Sequence, residues 1–323
     1  MAFLVALVFA FVPAFLMALF IYWLDRYEKE PLILLGATFL WGAVVAAGGA
    51  YVINTVFGIG IYAITGSGDV ADQTTASLVA PIVEEALKGF AVLIVFLAFR
   101  QEFDSVLDGI IYAGITALGF AATENVLYIY DHGYLERGWN GLWQLVIIRE
   151  LVVAWQHPFF TAFTGIGLAV ARLHRNLAVK AIAAPFGYAL AVSAHAFHNS
   201  FGSLVGGLEG FALGSLTDWF GWFLMALFIL YMIIRERGLL ERQLRDEAAN
   251  GVISRTQYRK ALSPLTMSIA FISGGPAAAR FYRLCGELGH KKEQLLNLGD
   301  ERGNRAAVES LRTELAALAP TLR

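Results

Sequence analysis

Over the first 234 residues, apolar runs of roughly membrane-spanning length follow one another with short polar breaks between them. A helix crosses the hydrocarbon layer with about 20 apolar residues, and the runs at 3–24, 32–57, 76–99, 106–130, 151–173, 178–201 and 212–234 meet that length. The pattern predicts an all-α fold: a polytopic membrane helix bundle of about seven transmembrane helices over residues 1–234. Beyond it, short amphipathic stretches at 235–250, 277–298 and 303–318, broken by Gly and Pro, predict a soluble helical tail over 235–323. The first run lacks a basic leader and passes straight into Asp25-Arg26-Tyr27-Glu28-Lys29, so it reads as a span and not as a cleaved signal. Residues 142–150 read as an interfacial lead-in to the fifth span, because Arg149 and Glu150 interrupt the apolar run.

Composition agrees with the pattern. The chain is 58% hydrophobic and 15% charged, whereas soluble domains sit at about 45–50% apolar. The single cysteine, Cys285, excludes an internal disulfide and a thiolate metal cluster. A net charge of −2 gives no case for a nucleic-acid partner.

Charge distribution adds orientation. Arg26, Lys29, Arg100, Arg172, Arg175, Lys180, Arg235 and Arg237 fall in the first, third and fifth loops and at the start of the tail. The other loops carry Arg137 and Arg149, and 58–75 and 202–211 carry no basic residue. Basic loops face the cytoplasm, so the expectation is a multi-pass cell-membrane protein with its N-terminus outside and its tail in the cytoplasm.

Ionisable groups inside the spans carry the chemistry, since each costs a few kcal/mol unless paired or used. Span three contains Glu84-Glu85-Ala86-Leu87-Lys88; Glu84 and Lys88 lie four apart and suit an ion pair, which leaves Glu85 unexplained. Span four holds Thr123-Glu124-Asn125, span five starts Gln156-His157-Pro158 with Thr161 and Thr164 below, and span six ends His195-Ala196-Phe197-His198-Asn199. At about 1.5 Å per residue, Glu84 lies roughly 12 Å and Glu124, His157 and His195 roughly 9 Å below the outer surface. Four helices thus place polar groups in one layer. Two carboxylates with two imidazoles suit a divalent metal such as zinc, and a carboxylate left over suits a general base on its bound water. A metal-free version uses a buried Glu to activate water directly. Either gives hydrolysis, and Asn199 or a Thr hydroxyl is placed to hydrogen-bond an oxyanion.

No His-Glu-x-x-His is present. Leu107-Asp108-Gly109 and Gly66-Ser67-Gly68-Asp69 match fragments of other intramembrane-protease signatures but lack their partners, and read as chance.

The ordered set Asp25-Arg26-Tyr27-Glu28-Lys29-Glu30-Pro31, Glu84-Glu85-x-x-Lys88, Phe120-x-x-x-Glu124-Asn125, His157 and His195-x-x-x-Asn199 resembles the PrsW family of membrane proteases, distant relatives of the CAAX prenyl proteases. The resemblance covers roughly residues 10–235. It implies an intramembrane metallopeptidase with Glu84 activating water and Glu124, His157 and His195 around that water or a metal, while the residues alone leave Glu85 open as the base of the pair. It also implies a single-pass, membrane-anchored substrate of the anti-sigma-factor class, held in membrane lipid. Glu124 departs from the CAAX-protease pattern, which carries His there. Two readings compete with it: a proton-coupled transporter, which also uses buried Glu, His and Lys, and a non-catalytic membrane scaffold. No inverted repeat supports the transporter. Gly202, Gly206, Gly210 and Gly214, at spacing four, suit a close helix contact or a dimer face.

Overall fold

The computed structural model describes residues 1–205, 207–300 and 303–322, and they are helical with no strand among them. The chain divides into two compact units. The first comprises Met1–Ile21, Pro31–Arg172 and Leu177–Ala226; the second comprises Tyr22–Glu30, Leu173–Asn176 and Leu227–Arg323.

The first unit contains α1 (Ala2–Leu24), α2 (Leu32–Leu40), α3 (Ala47–Thr65), α4 (Gly68–Thr74), α5 (Ala80–Ala98), α6 (Val106–Leu127), α7 (Glu136–Ile147), α8 (Gln156–Leu173), α9 (Leu177–Val205) and the start of α10 (Gly207–Gln243). Wider π-helical turns at Trp41–Ala46, Thr75–Val79, Tyr128–Leu135 and Ile148–Val152 join several of them. Its burial pattern is inverted relative to a water-soluble bundle. On α1, Ala2, Ala6, Ala10 and Ala14 turn inward every fourth residue, while Phe3, Leu4, Val8, Phe15 and Leu16 are exposed. Lipid tails solvate large apolar side chains as well as a core does, so helices in a membrane keep their small residues for each other.

Five stretches among the described residues are long and apolar enough to cross a membrane: Ala2–Leu24, Leu32–Thr65, Val106–Leu173, Leu177–Phe201 and Glu209–Ala249. The segment expected at 76–99 is helical as α5, but its three charges keep it out of that class. The stretch Val106–Leu173 runs through α6, α7 and α8, interrupted by non-helical Gly138 and a break at 153–155 before α8. Helix also continues where loops were expected: α3 and α4 cover most of 58–75, and α10 begins at Gly207. Hydropathy marks where apolar residues stop, and a polar residue does not by itself end a helix.

α6 is the most enclosed helix, buried along nearly its whole length, and α2, α5 and α8 pack on it. Glycine sets how close α8 comes. A Cβ on Gly109 would lie 2.3 Å from the carbonyl oxygen of Gly165, and one on Gly165 would lie 2.0 Å from that of Gly109. The same device joins α8 to α9, where a Cβ on Gly187 would lie 2.4 Å from the Phe163 carbonyl oxygen. These contacts draw together the helices that carry the polar groups, and the row at 202–214 is described only in part. Gly206 of that row lies outside the described residues, and a Cβ on Gly214 would meet nothing closer than Phe201 at 3.8 Å.

The second unit contains the end of α10, α11 (Arg245–Ala249), α12 (Arg255–Ala261), α13 (Thr266–Leu298) and α14 (Asn304–Leu318). Leu240, Leu244, Ile253, Phe281, Leu284, Cys285, Leu288, Val308 and Leu315 form its core, together with Tyr27 from the first polar loop. The Tyr27 hydroxyl donates to the Leu262 carbonyl at 3.3 Å. Gly286 admits that loop, since a Cβ there would lie 1.8 Å from the Tyr27 carbonyl oxygen. Burial pushes the Cys285 thiol well above the usual thiol range, so it packs as an inert apolar residue.

Candidate metal centre

α5 brings Glu84, Glu85 and Lys88 inward, α6 brings Glu124 at its far end, α8 brings His157 in its first turn, and α9 brings His195. Glu84, His157 and His195 each offer one ligand atom, and these atoms lie within 4.8 Å of one another. All three residues are buried.

The hydrogen bonds sort the nitrogens. His195 Nδ1 lies 3.0 Å from Glu85 Oε1, so it carries the proton, and Nε2 faces Glu84 Oε2 at 3.8 Å. His157 Nδ1 lies 3.3 Å from the Lys88 ammonium, which only donates, so Nδ1 accepts. His157 Nε2 then donates to Glu124 Oε2 at 2.9 Å. Each imidazole therefore leans on a carboxylate and turns a lone pair inward, the arrangement that orients histidine ligands. Ring contacts hold the pair: Phe160 stacks on His195 with centroids 5.0 Å apart, and Phe120 meets His157 edge-on at 5.2 Å.

Glu85 is fully enclosed and has three partners. Lys88 Nζ lies 2.5 Å from its Oε1, the Thr161 hydroxyl donates to Oε2 at 2.8 Å, and His195 Nδ1 is the third. The expected Glu84–Lys88 pair is thus replaced by Glu85–Lys88 at spacing three, and the carboxylate that seemed unexplained is the anchored one. Glu84 is held by Asn54 of α3, which donates to Oε1 at 3.3 Å, while its buried Oε2 has no hydrogen-bond partner. Glu124 pairs with Arg149, whose Nε donates to Asn125 Oδ1 at 2.6 Å; Asn125 in turn donates to Glu150 Oε1 at 2.6 Å.

The residues fit a divalent cation on two counts. Glu84 Oε2 is a buried carboxylate oxygen without a hydrogen-bond partner, beside the inward lone pair of His195 Nε2 and that of His157 Nδ1, which Lys88 engages. Glu85–Lys88 and Glu124–Arg149 are matched pairs, so ionised Glu84 would be the one negative charge that a bound cation offsets. A His₂Glu donor set is one that zinc accepts while keeping a position open. Lys88 is the competitor, because it occupies the His157 Nδ1 lone pair, and Glu85 is its alternative partner.

Asn199 does not join the group: its Nδ2 donates to the Ala76 carbonyl at 2.8 Å and steadies the π-helical turn before α5. Thr164 packs against Gly89. Asp108 belongs to the capping box that starts α6 with Ser105, and Ser67 caps α4, so both signature fragments are helix boundaries. Sequence reasoning missed Arg149 as a partner of Glu124, having read it only as a break in an apolar run. It also passed over Asp218, a carboxylate inside the run 212–234. Asp218 Oδ2 lies 2.6 Å from His198 Nδ1, and Gln156 Nε2 reaches both.

A profile for the PrsW family intramembrane metalloprotease matches residues 30–233. The chain belongs to that family. The matched span contains every residue of the candidate centre described above, and the second unit lies largely beyond it. Protease PrsW of Geobacillus kaustophilus (strain HTA426) is 31% identical over 156 residues, covering 47% of this chain and 60% of that protein. Protease PrsW of Clostridioides difficile (strain 630) is 34% identical over 141 residues, 44% and 55% of the two chains. Protease PrsW of Bacillus subtilis (strain 168) is 26% identical over 168 residues, 51% and 68%. The chain therefore spans somewhat under two thirds of the length of the first two relatives. No solved structure matches it.

Proposed function

We propose that this chain is an intramembrane metallopeptidase that hydrolyses a peptide bond of a single-pass, membrane-anchored protein. The observation that carries this reading is the convergence of Glu84, His157 and His195 within 4.8 Å, with a carboxylate behind each imidazole. Glu84, His157 and His195 would hold a divalent ion, and their donor set suits zinc. Such an ion, when bound, polarises a carbonyl and lowers the pKa of bound water toward about 7.

The remaining steps belong to the chain. Sequence resemblance places Glu84 as base and Glu124 as ligand. The geometry favours the exchange, because the free oxygen of Glu84 faces the imidazoles, whereas Glu124 is the more accessible carboxylate, with 20% of its side chain exposed. Glu124, which His157 Nε2 and Arg149 hold through Oε2, would take the proton from the attacking water through an intervening water and return it to the leaving amine. Arg149 aims Glu124, and Glu85 holds His195 in the tautomer that leaves Nε2 inward. Lys88, tethered to Glu85, balances charge as the carbonyl oxygen becomes negative.

Orientation follows the basic loops: N-terminus outside, tail in the cytoplasm. A common face for these loops and the tail is supported by the unit that Tyr22–Glu30, Leu173–Asn176 and the tail form, in which Arg175 donates to the carbonyls of Leu296 and Asn297 at 2.9 and 3.1 Å. The first and fifth loops then share the tail's side. The polar layer lies roughly 9–12 Å from the opposite, external face, so cleavage falls near the substrate's external boundary, where unwound backbone finds water. An anti-sigma-factor-like protein is the first substrate class to try. Co-expression with a tagged single-pass substrate tests the reading, with product termini mapped by mass spectrometry. Cleavage by wild type and its loss in Glu84→Gln support it. Counterflow of a labelled solute without any cleavage would favour a carrier instead.

A further inference from the structure

Arginines of two kinds occur in the second unit. Arg280 pairs with Glu287 and Glu314, Arg312 with Glu247 and Glu309, and Arg305 with Asp300. Arg245, Arg255 and Arg259 have no carboxylate partner among the described residues. All three line one cleft of about 570 Å³, together with Ala248, Ala249 and Tyr258.

The cleft is built rather than accidental. Arg255 and Arg259 stand four apart on α12 and so share a face, where like charges repel. No acidic side chain lines the cleft to relieve them. Glu247, two residues after Arg245, is turned away into the unit by Lys292 and Arg312 at 3.0 and 2.9 Å. The frame is fixed: Ser254 and Gln257 form a capping box, Gln257 Nε2 donates to the Ala319 carbonyl at 2.8 Å, and Ile253 and Ala261 sit in the core. The Tyr258 hydroxyl donates to the Glu241 carbonyl at 2.9 Å, which holds its ring as one wall.

We propose that this cleft binds a phosphate-bearing anion of nucleotide or phospholipid-headgroup size. Guanidinium forks match phosphate oxygens bidentately, and the volume falls in the range of about 300–1,000 Å³ typical of small-ligand sites. The two alanines leave room for a ligand to approach the backbone. A soluble organic phosphate and the headgroup of an anionic lipid present the same chemistry. The cleft lies beyond residue 233, where the family match ends, so the proposal stands apart from the peptidase reading.

The test uses the full chain in nanodiscs, as wild type, as R255Q/R259Q, and as R280Q, which removes a paired arginine elsewhere in the unit. In zwitterionic nanodiscs, inorganic pyrophosphate and ATP are titrated; in nanodiscs containing phosphatidylglycerol, the anionic lipid retained per chain is counted by native mass spectrometry. Saturable binding of pyrophosphate or ATP, weakened more than tenfold in R255Q/R259Q but not in R280Q, assigns a soluble ligand. Phosphatidylglycerol retained by wild type and R280Q, but lost from R255Q/R259Q, assigns a headgroup. If wild type binds neither probe, or if R255Q/R259Q binds as wild type does, the proposal is overturned. Near-native thermal unfolding of R255Q/R259Q is expected, because both side chains are exposed, and it separates lost binding from lost fold.

Discussion

Ion pairs in the two units serve opposite ends. In the first, Glu85 and Lys88 are both fully enclosed, and each also holds a histidine of the candidate metal centre. In the second, Arg280 and Glu314 meet at 2.8 Å with 40% and 44% of their side chains exposed, and neither touches a functional group of that centre. Water screens the second pair and makes it nearly dispensable. Nothing screens the first, so the sequence retains it only where a further role repays the desolvation. For these two pairs burial tracks role: the enclosed pair reaches both imidazoles of the candidate site and the solvated pair reaches neither, while buried Glu247, held by Lys292 and Arg312, serves the fold of the second unit.

The largest expected effects are on the centre's own ligands. Glu84→Gln, His157→Ala and His195→Ala should each abolish detectable cleavage while the protein still inserts, read as product in membranes alongside an insertion reporter. Glu124→Gln should reduce the rate by about 10²–10⁴-fold, the usual worth of a general base. Glu85→Gln should cost about 10–100-fold, as loss of a group orienting a ligand does. If Glu124→Gln cleaves at the wild-type rate while Glu84→Gln does not, the base has been assigned to the wrong carboxylate.

Stability sharpens the comparison next. Lys88→Met leaves Glu85 as an unpaired buried charge and should destabilise the first unit by about 3–5 kcal/mol, whereas Lys88→Met with Glu85→Gln should recover much of that loss. Arg280→Ala should change stability by no more than about 1 kcal/mol. Thermal unfolding in one detergent orders the three variants. An Arg280→Ala loss as large as that of Lys88→Met would erase the distinction drawn between the units. Smallest of all is a labelling effect: Cys285, the single cysteine, should resist maleimide in the folded protein and react once the tail core opens. Fast native labelling would show that the second unit lacks the core described for it.

Much of this was legible in the sequence, and the losses have physical reasons. The helical class followed from apolar runs, and Glu84, Glu124, His157 and His195 stood out because each is polar at a depth where polarity is costly. Pairing was less legible. Spacing alone allows Lys88 to reach either Glu84 or Glu85, and the choice is made by Thr161 and His195, on helices remote in sequence. Arg149 was hidden because it follows a kinked helix, and its approach to Glu124 depends on where α7 turns. Asn199 shares a helical face with His195, yet one turn carries it to the Ala76 carbonyl. Tyr27 looked like part of a loop, and only packing around Gly286 reveals it as a core residue.

Metal content of the purified full-length protein tests the central claim most directly. It is measured by elemental mass spectrometry on wild type, Glu84→Ala and Glu314→Gln prepared in parallel, with cleavage assayed on the same samples. The account predicts about one divalent ion per chain in wild type and in Glu314→Gln, and loss of both ion and cleavage in Glu84→Ala, since Glu84 joins His157 and His195 as a ligand. A wild-type preparation that cleaves with far less than one ion per chain, or a Glu84→Ala protein that holds as much metal as wild type, would contradict it.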